Sequence, residues 1–408
     1  MSNKLFLFTL ILIFVSACGQ SNKGRTNPIK SPEDKTYTLP QPNISFYIEN
    51  SGSMDGYVNG ATEFENAIHN YLIDVKNLNI SDSLCLNYIN SKIIPQGSDI
   101  NTFIADLNPW SFKVKGGNRG TSDIADVLKT ILLETKDNDI AILVTDGIFS
   151  PGRGEPADAY LDRQQTEIKD AMSEYLNNYP NTAVVLYQLS SQFNGIYYNL
   201  IDRRIYINEQ RPYYMWIIGN IRQVNKLLKN IPEANIKGGG VQHSFSIVGG
   251  NMVVDYAISR GSGNFKLDRH SSKNTIVDLR KDTKGRAKKV RFSVDVNLSN
   301  LLLDDSYLTN RKNYELNPIA YKLTIASAPS NKKGFTHRFT FSSPNVHKGI
   351  FKTRLLYYIP EWVYDTNDDD GTTAVSGKTY GIKHQVLGVY EAYTLKNNYY
   401  TEFNINVK

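Results

Sequence analysis

The chain has 408 residues, enough for two folded units, and its 40% hydrophobic and 21% charged content is ordinary for a globular protein. The formal charge of +6 permits weak attraction to anionic surfaces, while two cysteines and six scattered histidines exclude a structural zinc cluster. In chain order, the first segment, MSNKLFLFTLILIFVSACGQ, carries one basic residue and then an apolar run from Leu5 to Val15. That run is too short for a comfortable bilayer span and reads as a signal segment, residues 1–17. Residues 18–41 are polar with several prolines and read as a flexible tether.

The run closes on Val15-Ser16-Ala17-Cys18, which resembles a bacterial lipobox. The resemblance implies cleavage before Cys18 and a lipid on that cysteine, anchoring the chain in the cell envelope. Gly19 and Gln20 lack the acid that the resembled class uses for inner-membrane retention, so the outer membrane is the expected address. A plain secretory peptide or an uncleaved anchor is the alternative. With Cys18 lipidated, Cys85 has no intrachain partner, and SLCLNYI reads as a strand with Cys85 buried in it.

Past the tether, strands alternate with helices. ISFYIE is a continuous apolar run; TEFENAIHNYLIDV carries Phe64, Ala67, Ile68, Tyr71, Leu72 and Val75 at helical spacing. SLCLNYI, the helix TSDIADVLKTILLET, the strand DIAILVTDG, the helix RQQTEIKDAMSEYLNNY, the strands TAVVLYQLS and YYMWIIGN, and the helix IRQVNKLLKNI follow. This alternation predicts an α/β unit over 42–232 with an open, mostly parallel sheet and helices on both faces. Residues 233–240 read as a linker. From 241 to 408 short alternating segments such as KVRFSVDVNL and THRFTFSS predict a β-rich, sandwich-like domain, with a helix at TYGIKHQVLGVYEAYT and a closing strand YYTEFNINVK.

In an open α/β sheet ligands gather beyond the carboxyl ends of the strands. Three such ends carry oxygen-bearing side chains: Glu49-Asn50-Ser51-Gly52-Ser53, the loop KGGNRGTSD with Thr121, and Thr145-Asp146-Gly147. Two acids and three hydroxyls converging there would make a hard oxygen site of the kind Mg²⁺ or Mn²⁺ prefers. Order and spacing resemble the von Willebrand factor A domain and its metal-ion-dependent adhesion site. The resemblance covers roughly Pro42 to Ile231. It matches Ser51 and Ser53 to the family's paired serines, Thr121 to its threonine and Asp146 to its last aspartate, with Glu49 where the family has Asp. It implies direct hydroxyl ligands, acids acting largely through water, and an under-neutralised cation that seeks a partner's carboxylate. Glu49, one methylene longer than Asp, either reaches the metal and takes that carboxylate's place or swings aside and leaves a water-mediated shell.

Blander readings stand beside these. Ser51 and Ser53 could cap the following turn, Thr121 or Ser122 the following helix, and Asp123 could complement the helix dipole. Asp55 reads as a turn residue. DTNDDDG (Asp365 to Gly371) fails the EF-hand pattern, with Asp370 at position six and Ser376 at twelve, and reads as a solvated acidic loop. LRKDTKGRAKKVRF reads as a basic hairpin turn. No P-loop, HExxH, nucleophile elbow or nucleic-acid motif occurs. The expectation is therefore a non-enzymatic, lipid-anchored binding protein that recognises a protein or carboxylate-bearing ligand. The alternatives are a scaffold subunit of an envelope complex with a degenerate metal site, and, behind it, a metal-dependent hydrolase.

Overall fold

Strand β1 (Asn43–Glu49) is buried on both faces: Ile44, Phe46 and Ile48 point one way and Tyr47 the other, none more than 3% exposed. The structure is a computed structural model; it describes residues 40–408 apart from 121–122, 150–155, 200–202, 250–251, 269–273, 283–287 and 332–333. After β1 come α1 (Glu63–Asn77), β2 (Ser83–Ile89), β3 (Ile93–Gly97), α2 (Ile100–Ala105), α3 (Pro109–Val114), α4 (Ile124–Glu134) and β4 (Asp139–Thr145). Then follow α5 (Ala157–Asn178), β5 (Thr182–Tyr198), β6 (Arg204–Asn220), α6 (Ile221–Asn230) and β7 (Val241–Val248).

These strands form one sheet in the order β3-β2-β1-β4-β6-β5-β7. The α/β class holds, but the sheet is mixed rather than mostly parallel. Only the β1–β2 and β1–β4 ladders are parallel; β2–β3, β4–β6, β5–β6 and β5–β7 are antiparallel. Two short connections contribute: residues 90–92 join β2 to β3, and a second joins β5 to β6. Residues 199–203 are too few for a crossover, so β5 and β6 pair antiparallel along all 17 residues of each. The hairpin arm leans on the turn after β1. There a Cβ on Gly56 would sit 2.4 Å from the Phe193 ring, and one on Gly195 2.7 Å from the Gly56 Cα. Only glycines permit that approach.

Helices cover both faces. Phe46 meets Tyr71 of α1 at 6.5 Å between centroids, whereas Tyr47, on the opposite face, feels the charge of Glu134 at the end of α4. Thr62 caps α1: its Oγ1 accepts from the Glu65 N–H at 3.3 Å and donates to the Tyr57 carbonyl at 2.6 Å. Thr62→Ala is expected to cost about 1 kcal/mol in chemical denaturation, through the lost cap and an orphaned carbonyl.

The C-terminal half is β-rich. It comprises β8 (Tyr256–Ile258), β9 (Asn264–Leu267), β10 (Thr275–Arg280), β11 (Val290–Val296), α7 (Asp305–Thr309), β12 (Tyr314–Asn317), β13 (Lys322–Ser327) and β14 (His337–Ser343). β15 (Gly349–Leu356), α8 (Glu361–Asp365), β16 (Asn367–Asp368), β17 (Thr379–Tyr380), α9 (Ile382–Thr394) and β18 (Tyr399–Val407) complete it. One sheet runs β12-β15-β18-β10-β9 and another β13-β14-β11-β8. Phe339 of the second meets Tyr314 and Phe403 of the first, each at about 5 Å between centroids.

Two parts of this half join the first sheet. β7 pairs with β5, and its outward carbonyls at Ser244, Ser246 and Val248 accept from Trp362, Tyr400 and Tyr357 at 2.7–3.0 Å. Side chains thus satisfy an edge that would otherwise invite another strand. Helix α9 lies along α5, with Lys169 bonded to Glu391 at 3.0 Å. Cys85 is exposed rather than buried, because β3 pairs only with Leu86–Ile89 and leaves the start of β2 uncovered. Among the described residues no helix is long and apolar enough to cross a membrane. Cys18 and the middle of the basic segment (283–287) lie outside the described residues.

Candidate metal centre

The parallel register of β1 and β4 sets Ile48 opposite Val144, so the next residues, Glu49 and Thr145, end the two strands side by side. The chain then turns on both strands. After β1 a short 3-10 helix, Gly52–Gly56, carries Ser53; after β4, Asp146 and Gly147 begin a loop, Gly147 at φ +66. Glu49, Ser51 and Asp146 are each no more than 3% exposed, and Ser53 is half-buried.

Four of the five residues singled out from the sequence therefore meet. The Ser51 and Ser53 hydroxyls lie 2.9 Å apart, and Ser53 is close enough to Asp146 to favour its charged form. The fifth, Thr121, lies outside the described residues. Its neighbour Asp123, rather than Thr121 or Ser122, caps α4, accepting from the Ala125 and Asp126 N–H groups at 3.1 and 3.3 Å. Ser51 precedes the 3-10 helix but makes no side-chain cap to it, so a capping role does not account for that serine.

The acids carry unusual electrostatics. Burial and then the neighbouring Glu49 charge push the Asp146 carboxyl up to about 7, against the pull of Ser53, the Ile148 N–H and Arg211. Asp146 Oδ1 accepts from the Ile148 N–H at 3.0 Å; Oδ2 is buried with no hydrogen-bond partner among the described residues. Two buried carboxylates whose charges act on each other are stabilised when one takes a proton or a cation binds beside them. The oxygen-only donor set suits Mg²⁺ or Mn²⁺. Among the described residues there is no group of three or more His, Cys, Asp or Glu that could hold a metal, and this pocket, with two acids and hydroxyls, is not such a group.

Two contributors, Arg119 and Arg211, were not read from the sequence, and a third, Thr145, was noted only as one of the oxygen-bearing residues at the strand ends. Thr145 donates its hydroxyl to Glu49 Oε2 and accepts the Gly147 N–H at 2.9 Å, fixing the glutamate. Arg119 staples the β1 loop. Its guanidinium donates to the Asn50 and Ser51 carbonyls at 2.7 and 3.2 Å and pairs with Asp55, while its own carbonyl accepts the Gly52 N–H at 3.0 Å. Asp55 is thus an ion-pair partner as well as a turn residue. Arg211 is 2% exposed, stands 5.0 Å over the Tyr197 ring, and donates to the Val375 and Lys378 carbonyls at 2.8 and 3.1 Å. An arginine among the apolar residues of QRPYYMWIIG was the available signal.

Those carbonyls belong to the segment following DTNDDDG. That loop is solvated at Asp365, Asp369 and Asp370, as the sequence suggests, but its middle is folded onto the sheet end. Asn367 and Asp368 are buried, Lys383 and Asn367 hold Asp369 at 2.9 and 2.7 Å, and Gln385 donates to the Gly147 carbonyl at 2.6 Å. Burial alone would raise the Asp369 pKa, but Lys383 and Asn367 bring it below the ordinary aspartate value. A scan of the chain against protein-family models and a search of curated proteins match nothing.

Proposed function

We propose that the chain is an envelope-anchored binding lipoprotein of the von Willebrand factor A type. In this reading it holds Mg²⁺ or Mn²⁺ at the β1/β4 end through Ser51, Ser53, Asp146 and Glu49, with Thr121 as a further ligand. The observation that supports it most is Asp146 Oδ2, buried, without a partner among the described residues, beside a second carboxylate. A cation there would neutralise the pair and polarise a carboxylate brought by a protein or other ligand. The reading is of recognition rather than turnover: the paired serine hydroxyls lie 2.9 Å apart, with Ser53 acting on the Asp146 carboxylate, and no hydrogen bond joins either to an imidazole among the described residues. Lipidation at Cys18 would place the protein at the outer membrane.

One observation favours the scaffold reading. Thr145 already engages Glu49, and the acids lie buried under neighbouring loops, as in a site closed by a shared proton. Purified lipid-free protein separates the two. The adhesion reading expects Mg²⁺ to raise the melting temperature at pH 7.5 and EDTA to abolish capture of envelope partners. The scaffold reading expects capture unchanged by EDTA.

A further inference from the structure

We propose that a cleft beside strand β7 binds the guanidinium or ammonium head of an Arg or Lys side chain presented by a partner polypeptide. The cleft is about 50 Å³, and Ser246, Leu302, Asp304, Tyr307, Tyr358 and Tyr400 line it. That volume accepts a head group and little more, so the rest of any ligand must remain outside.

Its walls are fixed. The Tyr307 and Tyr400 rings meet edge to face, 6.2 Å apart and at 87°. Their hydroxyls are tied to the Leu356 and Ser246 carbonyls at 2.7 and 2.9 Å, which leaves the rings as rigid aromatic surface. Tyr358, 44% exposed, adds a third ring. Leu302 holds a left-handed backbone at φ +56, a conformation that costs a bulky residue energy and persists only where its surroundings impose it.

Charge gives the cleft its sign. Asp304 is exposed and has no basic partner among the described residues. Glu233 lies close by: burial, then the Asp304 charge, raise its pKa. In a chain of net charge +6 this is a local concentration of negative charge beside aromatic rings. Aromatic faces and carboxylates together recognise organic cations. A bare metal ion would find few oxygen ligands here.

The test is an NMR titration with acetyl-Gly-Gly-Arg-Gly-Gly-amide, its Lys and citrulline analogues, and free methylguanidinium. The Arg and Lys peptides are expected to shift signals from Tyr307, Tyr358 and Tyr400, with the neutral citrulline peptide at least about tenfold weaker. The Asp304→Asn/Glu233→Gln double variant is expected to lose about tenfold in affinity and Tyr358→Ala about fivefold, with melting curves confirming that both fold. Asp304 precedes α7 without capping it, so its amide should be tolerated. Equal binding of the citrulline peptide, unchanged binding by the double variant, or no binding by any peptide would overturn the proposal. Methylguanidinium binding as tightly as the Arg peptide would overturn the polypeptide assignment.

Discussion

Asp146→Asn is expected to stabilise the metal-free protein at neutral pH and to abolish its response to Mg²⁺. The folded-state pKa of Asp146 is raised, to about 7 from 3.8. Below about pH 4 both the folded and unfolded chains hold the proton, and the group makes no difference. Between about 4 and 7 the unfolded chain releases it while the folded chain keeps it, so stability falls as pH rises across that window. The amide does not titrate, so the variant should keep most of that stability at pH 7.5 and match the wild type near pH 4. Wild type with Mg²⁺ at about a hundred times its dissociation constant should recover about 2.7 kcal/mol, and the variant nothing. Urea denaturation at pH 4.5, 6 and 7.5, with and without Mg²⁺, reads both effects. A flat wild-type profile would show that the acids do not share a buried pocket.

Arg211→Met should be the most destabilising change around the site. Its side chain is held by two backbone carbonyls of the Val375–Lys378 segment, by Glu209 at 3.4 Å and by the Tyr197 ring. Methionine fills similar volume but leaves both carbonyls without their donor and removes the positive charge that eases ionisation of Asp146. A loss of about 3 kcal/mol is expected, roughly 4 °C in melting temperature for a unit as long as Pro40–Lys408. Because the segment over the sheet end loses its anchor, proteolysis should begin there, near Val375 and Lys378. Arg211→Lys should rescue only part of the loss, since one ammonium does not reproduce the guanidinium's planar fork. A variant as stable as wild type would show that the C-terminal loop is not clamped to the hairpin.

Much of the α/β unit was legible in the sequence, because its elements carry their own signals. The apolar runs of β1 and β4 and the helical spacing of α1 and α4 need no tertiary information. The meeting of Glu49 with Asp146 was legible too, since both acids follow apolar strands that pair in parallel. The sheet's direction was not. It depends on residues 190–198 and 204–210, whose polar alternation reads as loop until each arm supplies the other's hydrogen bonds. Long-range partners were equally hidden. Thr145, Arg119 and Arg211 acquire their roles from contacts as distant in sequence as Glu49 to Thr145 and Arg211 to Lys378. The acidic loop was legible in part: Asp365, Asp369 and Asp370 are exposed as four aspartates within Asp365–Asp370 suggest, whereas the burial of Asn367 and Asp368 depends on distant partners.

The central claim, a divalent cation at the end of β1 and β4, is tested most directly by anomalous diffraction from crystals grown with Mn²⁺. One strong peak is expected within bonding distance of the Ser51 and Ser53 hydroxyl oxygens and adjoining Asp146. A map without a peak there at saturating Mn²⁺, with the Glu49 and Asp146 carboxyls hydrogen-bonded to each other, would contradict it.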